Sequence, residues 1–182
     1  MWATPQVVKR TSFDQLILWH SEEIELDSNL LESLILVESS GSPRAYRFEK
    51  EFWERYLKGK PMWAKQEPRR VSASYGLMQL MYPVAWEQGF RGTPESLFEP
   101  SINLRYGCKL LSSLRKWAGG FLPSMLAAYN GGKRANAPTD VPLRNAGYVG
   151  KVKKRYEEVA SWNDLLAVAP SSKISSDVPV SF

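Results

Sequence analysis

The chain has 182 residues, 43% of them hydrophobic and 12% aromatic, which suits one globular domain with a sizeable core and excludes a disordered chain. Lys and Arg outnumber Asp and Glu by 24 to 19, a balance that favours anionic partners without choosing among nucleic acid, acidic membrane and cell-wall polymer. One cysteine and one histidine, Cys108 and His20, exclude an intrachain disulfide, a cysteine metal cluster and any site built on two histidines, so no metal or cofactor is expected.

Residues 1–11 read as a loose lead-in. The opening MWATPQVVKR has neither a long apolar core nor a small-residue cleavage pattern, so no signal peptide is expected, and no apolar run is long enough to span a bilayer. Ser12 is placed to cap a helix over about 12–25. DSNLLESLILVESSGSP, residues 27–43, reads as a second helix, capped by Asp27 or Ser28 and ended by Gly41 and Pro43. At about 100° per residue, Leu30, Leu31, Leu34, Ile35 and Val37 share one arc with Glu38 in its middle, while Glu32 and Ser39 turn to solvent. RFEKEFWERYLKGKP, residues 47–61, puts Phe48, Phe52 and Tyr56 at i, i+4 and i+8 of an amphipathic helix stopped by Gly59 and Pro61. Residues 60–72 read as loop, and SASYGLMQLM leads to a short helix over about 84–88.

A strong helix follows at 101–117, with Ile102, Leu104, Leu110, Leu111 and Leu114 on its apolar side and Cys108 as a small core residue. Pro123 opens PSMLAAYN, which ends at Gly131 and Gly132. A loop then leads to a last helix over about 148–162. Residues 163–182, rich in serine, read as a flexible tail. No segment sustains strand alternation and the chain has no internal repeat. The expected fold is all-α (mainly helical) and single-domain, with 1–26 as lead-in and helix and 27–162 as the functional body.

Glu38 stands where Leu is expected. Burial disfavours the charged form of a carboxyl and raises its pKa, and an acid still protonated near neutral pH is what general-acid chemistry needs. A buried Glu satisfied by Arg or by backbone groups is the structural alternative.

Four motifs in order resemble one family. They are Glu38-Ser39, Gly76-Leu77-Met78-Gln79, Ala127-Ala128-Tyr129-Asn130-Gly131-Gly132 and Tyr148-Val149. Leu97, Pro100, Asn103, Gly107 and Leu111 fit an intervening L-x-x-P-x-x-N-x-x-x-G-x-x-x-L pattern. Together these resemble the soluble lytic transglycosylases, relatives of goose-type lysozyme in glycoside hydrolase family 23, some of them phage-type. The resemblance covers about residues 28–158 and implies a lysozyme-like domain with a sugar-binding groove. It implies that Glu38 protonates a MurNAc-GlcNAc β-1,4 link of peptidoglycan and then takes a proton from the C6 hydroxyl as a 1,6-anhydro ring closes. Most glycosidases need a second carboxylate; in this family the substrate supplies the nucleophile. Ser39, Met78, Gln79, Tyr129, Asn130 and Tyr148 are the implied substrate-binding residues. Ser39 would fix local backbone or bond near the site, and Gln79 would meet an N-acetyl group. Met78 reads equally as groove floor or ordinary core.

The chain departs from the family in four places. Arg144 and Asn145 stand where Glu and Thr are common, removing an acid from the network near Tyr148. Tyr82-Pro83-Val84-Ala85 replaces P-x-T-A, and Ala73-Ser74 replaces Gly-Ala. Glu38 and Gly76 are separated by roughly twice the family's spacing, so a helix-bearing insertion is expected at about 44–70. Phe48, Trp53 and Trp63 in it offer either stacking surfaces or core packing, and Glu49 is either a solvated charge or a second carboxylate.

The functional expectation is therefore a lytic transglycosylase. One alternative is a hydrolytic muramidase using Glu49, and another is a non-catalytic wall-binding or assembly protein. Peptidoglycan glycan strands are the expected partner, with no nucleic acid, because the basic residues are scattered, and no stable membrane insertion. Action in the periplasm or cell wall without a signal peptide implies delivery by a phage particle, release by a holin, or a dedicated secretion machinery.

Overall fold

The computed structural model describes residues 13–133 and 143–168, with side chains as far as 161. The lead-in, Ser12 and its cap, most of the loop before the last helix, and residues 169–182 of the tail lie outside the described residues.

The chain opens with helices α1 (Asp14–Glu23) and α2 (Ser28–Ser39), then strand β1 (Tyr46–Phe48). Short helix α3 (Lys50–Phe52) runs into a π-helical turn, Trp53–Leu57, followed by α4 (Pro61–Ala64) and α5 (Pro68–Val71). Strands β2 (Ala73–Tyr75) and β3 (Leu80–Met81) precede α6 (Tyr82–Glu87) and a 3-10 turn, Pro94–Phe98. Three longer helices complete the fold: α7 (Pro100–Trp117), α8 (Leu122–Gly131) and α9 (Ala146–Val168). The mainly helical expectation holds, with one addition: an antiparallel sheet in the order β1-β2-β3, in which Tyr46 faces Tyr75, Phe48 faces Ala73, and Ser74 faces Met81.

Two cores organise these elements. One lies among α1, α2, α7, α8 and α9, and its buried apolar residues are aliphatic or sulfur-bearing, among them Leu31, Leu34, Ile35, Leu104, Leu111, Leu126 and Val152. The other lies under the sheet and the short helices and is rich in rings: Trp53, Trp63, Tyr75, Tyr82 and Phe90. Those rings meet edge to face, Trp63 against Tyr82 at 5.7 Å and Tyr82 against Phe90 at 6.1 Å, as aromatic quadrupoles prefer. α7 belongs to both. Its Leu104, Cys108 and Leu111 enter the aliphatic core, while Ile102 and Tyr106 pack against the aromatic one.

Asp27 caps α2, its Oδ1 accepting the N–H groups of Asn29 at 2.7 Å and Leu30 at 3.1 Å. The expected solvent face of α2 is absent. α1 packs on one side and α9 on another, so every residue from Asn29 to Leu36 is buried, and Glu32 is 3% exposed. The 47–61 helix is also corrected. Pairing with β2 takes Phe48, and the Glu49 N–H continues the ladder to the Ser72 carbonyl at 2.8 Å. The π-helical turn then buries Trp53 and Leu57 and leaves Tyr56 half exposed, the reverse of the expected apolar side. Residues 60–72 are not plain loop. Pro61 and Pro68 each open a short helix, because a proline costs nothing where the first turn's N–H groups have no partner. α9 runs to Val168, past the expected end near 162.

Candidate active site

The last turn of α2 carries Glu38 and Ser39, after which Ser40 at φ 53° and Gly41 at φ 75° turn the chain away. The Ser39 hydroxyl donates to the Leu77 carbonyl at 2.7 Å, with the Ile35 carbonyl also within reach at 3.1 Å. Ser39 therefore braces backbone, the first of its two expected roles, and its proton is not offered to substrate.

Residues 76–79 form a tight turn between β2 and β3. Gly76 sits at φ 69°, and a Cβ there would come within 2.6 Å of both the Leu97 carbonyl and the Asn103 amide, so only glycine fits. Asn103 of α7, fully buried, staples the turn. Its Oδ1 accepts the Met78 N–H at 2.8 Å, and its Nδ2 donates to the Tyr75 and Leu97 carbonyls, both at 2.8 Å. Met78 is 0% exposed and lies against Gly107, where an added Cβ would fall 2.2 Å from the sulfur. Its side chain is core and forms no part of a groove floor, because the absence of a side chain on Gly107 draws the thioether into α7. Gln79 adopts φ 46° and folds its amide back, Nε2 donating to the Gly76 carbonyl at 3.1 Å.

α8 and α9 supply the opposite side. The Tyr129 hydroxyl donates to the Met78 carbonyl at 2.7 Å, and burial together with the Glu38 charge pushes its phenol well above the ordinary value. Asn130 is exposed at the end of α8, and Asn145 Nδ2 donates to its Oδ1 at 2.9 Å. Tyr148, in the first turn of α9, donates to Glu38 Oε1 at 2.5 Å. Burial raises the Tyr148 phenol, and Glu38 beside it raises it further.

Glu38 itself is mostly buried, and loss of hydration pushes its carboxyl above the usual range. The Tyr148 hydrogen bond and the Arg47 charge pull it down, and the Glu49 charge pushes it up. Among the described residues, nothing bonds its second oxygen. Glu49 accepts from Arg47 Nε at 2.5 Å and from the Ser74 hydroxyl at 3.2 Å, so it is neither a free helix charge nor in direct contact with Glu38. Trp53 and Trp63 are buried in the aromatic core and cannot stack on a ligand, while Phe48 lies under the Arg69 guanidinium at 5.2 Å. No cluster of three metal-ligating side chains occurs among the described residues.

The fold thus brings Glu38, Gln79, Tyr129, Asn130 and Tyr148 into one neighbourhood, with Ser39 and Met78 serving it through backbone. The roles of Asn103 and Asn145 were not read from the sequence. Asn103 carried a signal, being the one amide in the pattern beginning at Leu97. Asn145 carried none beyond departing from Thr.

A family model described as the transglycosylase SLT domain matches residues 15–140, which include every motif except Tyr148-Val149. Among solved structures, an inactive Glu-to-Gln mutant of the lytic transglycosylase Slt from Pseudomonas aeruginosa is similar in fold, with a TM-score of 0.61 at 19% identity. That match covers 84% of this chain but 24% of the other, so the chain spans about a quarter of that protein's length. No curated protein matches the chain. A single domain-wide model, holding the acid-bearing end of α2, the stapled turn and the end of α8 in order, places this chain in the transglycosylase SLT domain family.

Proposed function

We propose that this domain is a peptidoglycan lytic transglycosylase and that Glu38 is its single acid and base. The observation that carries the proposal is the setting of Glu38: a carboxyl whose pKa burial raises, and which among the described residues is hydrogen-bonded on one oxygen, by Tyr148. With Tyr148 donating to Oε1, the proton resides on Oε2 and is available to the glycosidic oxygen of a MurNAc-GlcNAc link. Protonation lets the C1–O bond break and the GlcNAc leave as an alcohol. The carboxylate then takes the proton of the MurNAc C6 hydroxyl, whose oxygen closes onto C1. The proton is returned to Glu38 and the product is a 1,6-anhydro sugar. Tyr148 steadies the carboxylate between the two steps, offsetting part of the effect of burial. That one Glu-to-Gln change leaves the P. aeruginosa relative inactive supports an essential glutamate in a domain of this fold.

Gln79 and Asn130 are assigned to the glycan, and Ser39 and Tyr129 to holding the turn beside it. Peptidoglycan strands are the proposed substrate, and the periplasm or cell wall the place of action. Delivery by a phage particle, by holin release or by dedicated export belongs to the same proposal; no helix among the described residues is long and apolar enough to cross a membrane. The hydrolytic alternative rests on one observation, that the Glu49 charge reaches Glu38.

Mass spectrometry of fragments released from purified peptidoglycan decides between them. Borohydride-resistant products one water lighter than hydrolysed ones, lost in Glu38→Gln, are the expected result. Reducible ends transfer the assignment to a muramidase, and no release from several wall types favours a binding role.

A further inference from the structure

Asn145 does more than occupy an unusual position in its motif. Its side chain lies flat over Gly131, where an added Cβ would stand 2.3 Å from Nδ2 and 2.7 Å from Oδ1. Nδ2 donates to the Ala127 carbonyl at 3.2 Å and to Asn130 Oδ1 at 2.9 Å. Its own carbonyl accepts the N–H groups of Tyr148 at 2.9 Å and Val149 at 3.2 Å, starting α9. One residue thus joins the end of α8 to the turn that carries Tyr148.

The polarity of this junction is fixed. A backbone carbonyl only accepts, so the group that meets Ala127 must be the amide nitrogen of Asn145. The same nitrogen then faces Asn130, which must answer with its oxygen. Asn130 is exposed, and accepting through its oxygen leaves its two N–H groups on the side of the amide away from Asn145.

We propose that Asn145 is a positioning residue that sorts the Asn130 amide, making Asn130 a hydrogen-bond donor to the glycan and selecting acetamido carbonyls over amines. This deepens the transglycosylase reading and rests on it for the identity of the ligand. A de-N-acetylated sugar presents an ammonium where the carbonyl would be, and meets a donor with a donor. Unpaired polar groups of this kind discriminate more strongly than shape alone.

Asn145→Asp tests it. The substitution is isosteric, and a carboxylate is favoured at the start of α9. It can donate neither to Asn130 nor to the Ala127 carbonyl, so both bonds of the junction are lost and the Asn130 amide is free to turn over and offer its oxygen outward. Rates are compared on fully N-acetylated and partly de-N-acetylated glycan strands, in Asn145→Asp, Asn130→Ala and the double variant. The wild-type preference for N-acetylated strands, about tenfold or more on the scale of one mismatched hydrogen bond, is expected to fall to near parity in Asn145→Asp. In the Asn130→Ala background, Asn145→Asp should change nothing further. An unchanged preference, or an additive effect in the double variant, overturns the proposal. The Asn130 side-chain amide signals in a 15N-labelled sample give a reading that needs no turnover. They should move on Asn145→Asp, and signals that stay in place overturn the assignment even if the wild type releases no fragments. Failure of release by the wild type, with those signals moved, instead removes the transglycosylase reading and leaves the sorting of the amide intact.

Discussion

The two cores of this domain are filled differently. The fully buried apolar residues of the helical lobe are leucines, isoleucines, valines, alanines, methionines and a cysteine, with its tyrosines only partly buried at the edge, whereas the lobe built on the sheet buries two tryptophans, two tyrosines and a phenylalanine. Aliphatic side chains interlock along long helices and repeat at the helical period. Rings need particular edge-to-face partners, which short strands and one-turn helices can supply and a long regular helix rarely does. The difference teaches where the chemistry can sit. Glu38 and Tyr148 project from the regular lobe, and the turn that faces them springs from the sheet of the irregular one while burying Leu77 and Met78 in the aliphatic core. The two are joined by α7 and by Asn103, so the site is a seam.

The substitution with the largest expected effect lies on the helical side of that seam. Glu38→Gln should lower fragment release by at least about a thousandfold, within the scale of losing a general acid, while far-UV dichroism stays native. Next comes the staple. Asn103→Ala leaves the Met78 N–H and the Tyr75 and Leu97 carbonyls without their buried partner, and should cost about 3 kcal/mol in urea unfolding. If the lobes were independent, it would produce two transitions; a single shifted one shows that α7 couples them. Gly107→Ala intrudes on the Met78 sulfur, and about 1–3 kcal/mol of overpacking is expected. Met78→Ala in the same chain should recover part of that loss, which thermal unfolding of both variants checks.

Two milder changes read the electrostatics across the seam. The Tyr148 hydrogen bond lowers the Glu38 pKa, so Tyr148→Phe raises it, and the alkaline limb of the pH–rate profile should move up while the maximal rate falls about tenfold. Glu49 raises that pKa, so Glu49→Gln should move the same limb down with its height little changed. Opposite shifts separate a supporting carboxylate from a catalytic one, since a Glu49 base would lose rate at every pH. The smallest effect concerns stability. A carboxyl raised in the folded state contributes its full stability below its unfolded pKa and loses that contribution as pH climbs through the folded value. Glu38→Gln should accordingly melt about 2–4 °C above the wild type at neutral pH, where functional groups commonly cost about 1 kcal/mol.

The same division explains what the sequence disclosed. The Asp27 cap, the apolar side of α7 and the glycine stop after Asn130 follow from local rules and appear in the structure. β2 buries all three of its residues, so no alternation could announce it. Glu32 lies buried because α9, more than a hundred residues away in sequence, packs on α2. Within the site, Glu38 was legible as an acid on an apolar arc, but its meeting with Tyr148 across 110 positions was accessible only through the order of motifs. Met78 could be read as groove or core because a flexible thioether suits both. Gly107, opposite it, decides. The Asn145–Asn130 contact has no periodicity behind it and arises only where the end of α8 meets the start of α9.

Glu38 stands in the final turn of α2, where the backbone carbonyls point beyond the helix end. Their aligned dipoles put partial negative charge beside the carboxyl, adding to the effect of burial in resisting ionisation. Arg47 and Glu49, the paired charges nearby, pull in opposite directions. What raises the Glu38 carboxyl is thus mainly desolvation, which dissolved ions screen poorly. A rate constant for bond cleavage that stays flat while ionic strength rises, even as attraction to an anionic wall weakens, is the consequence of ending a helix at that residue.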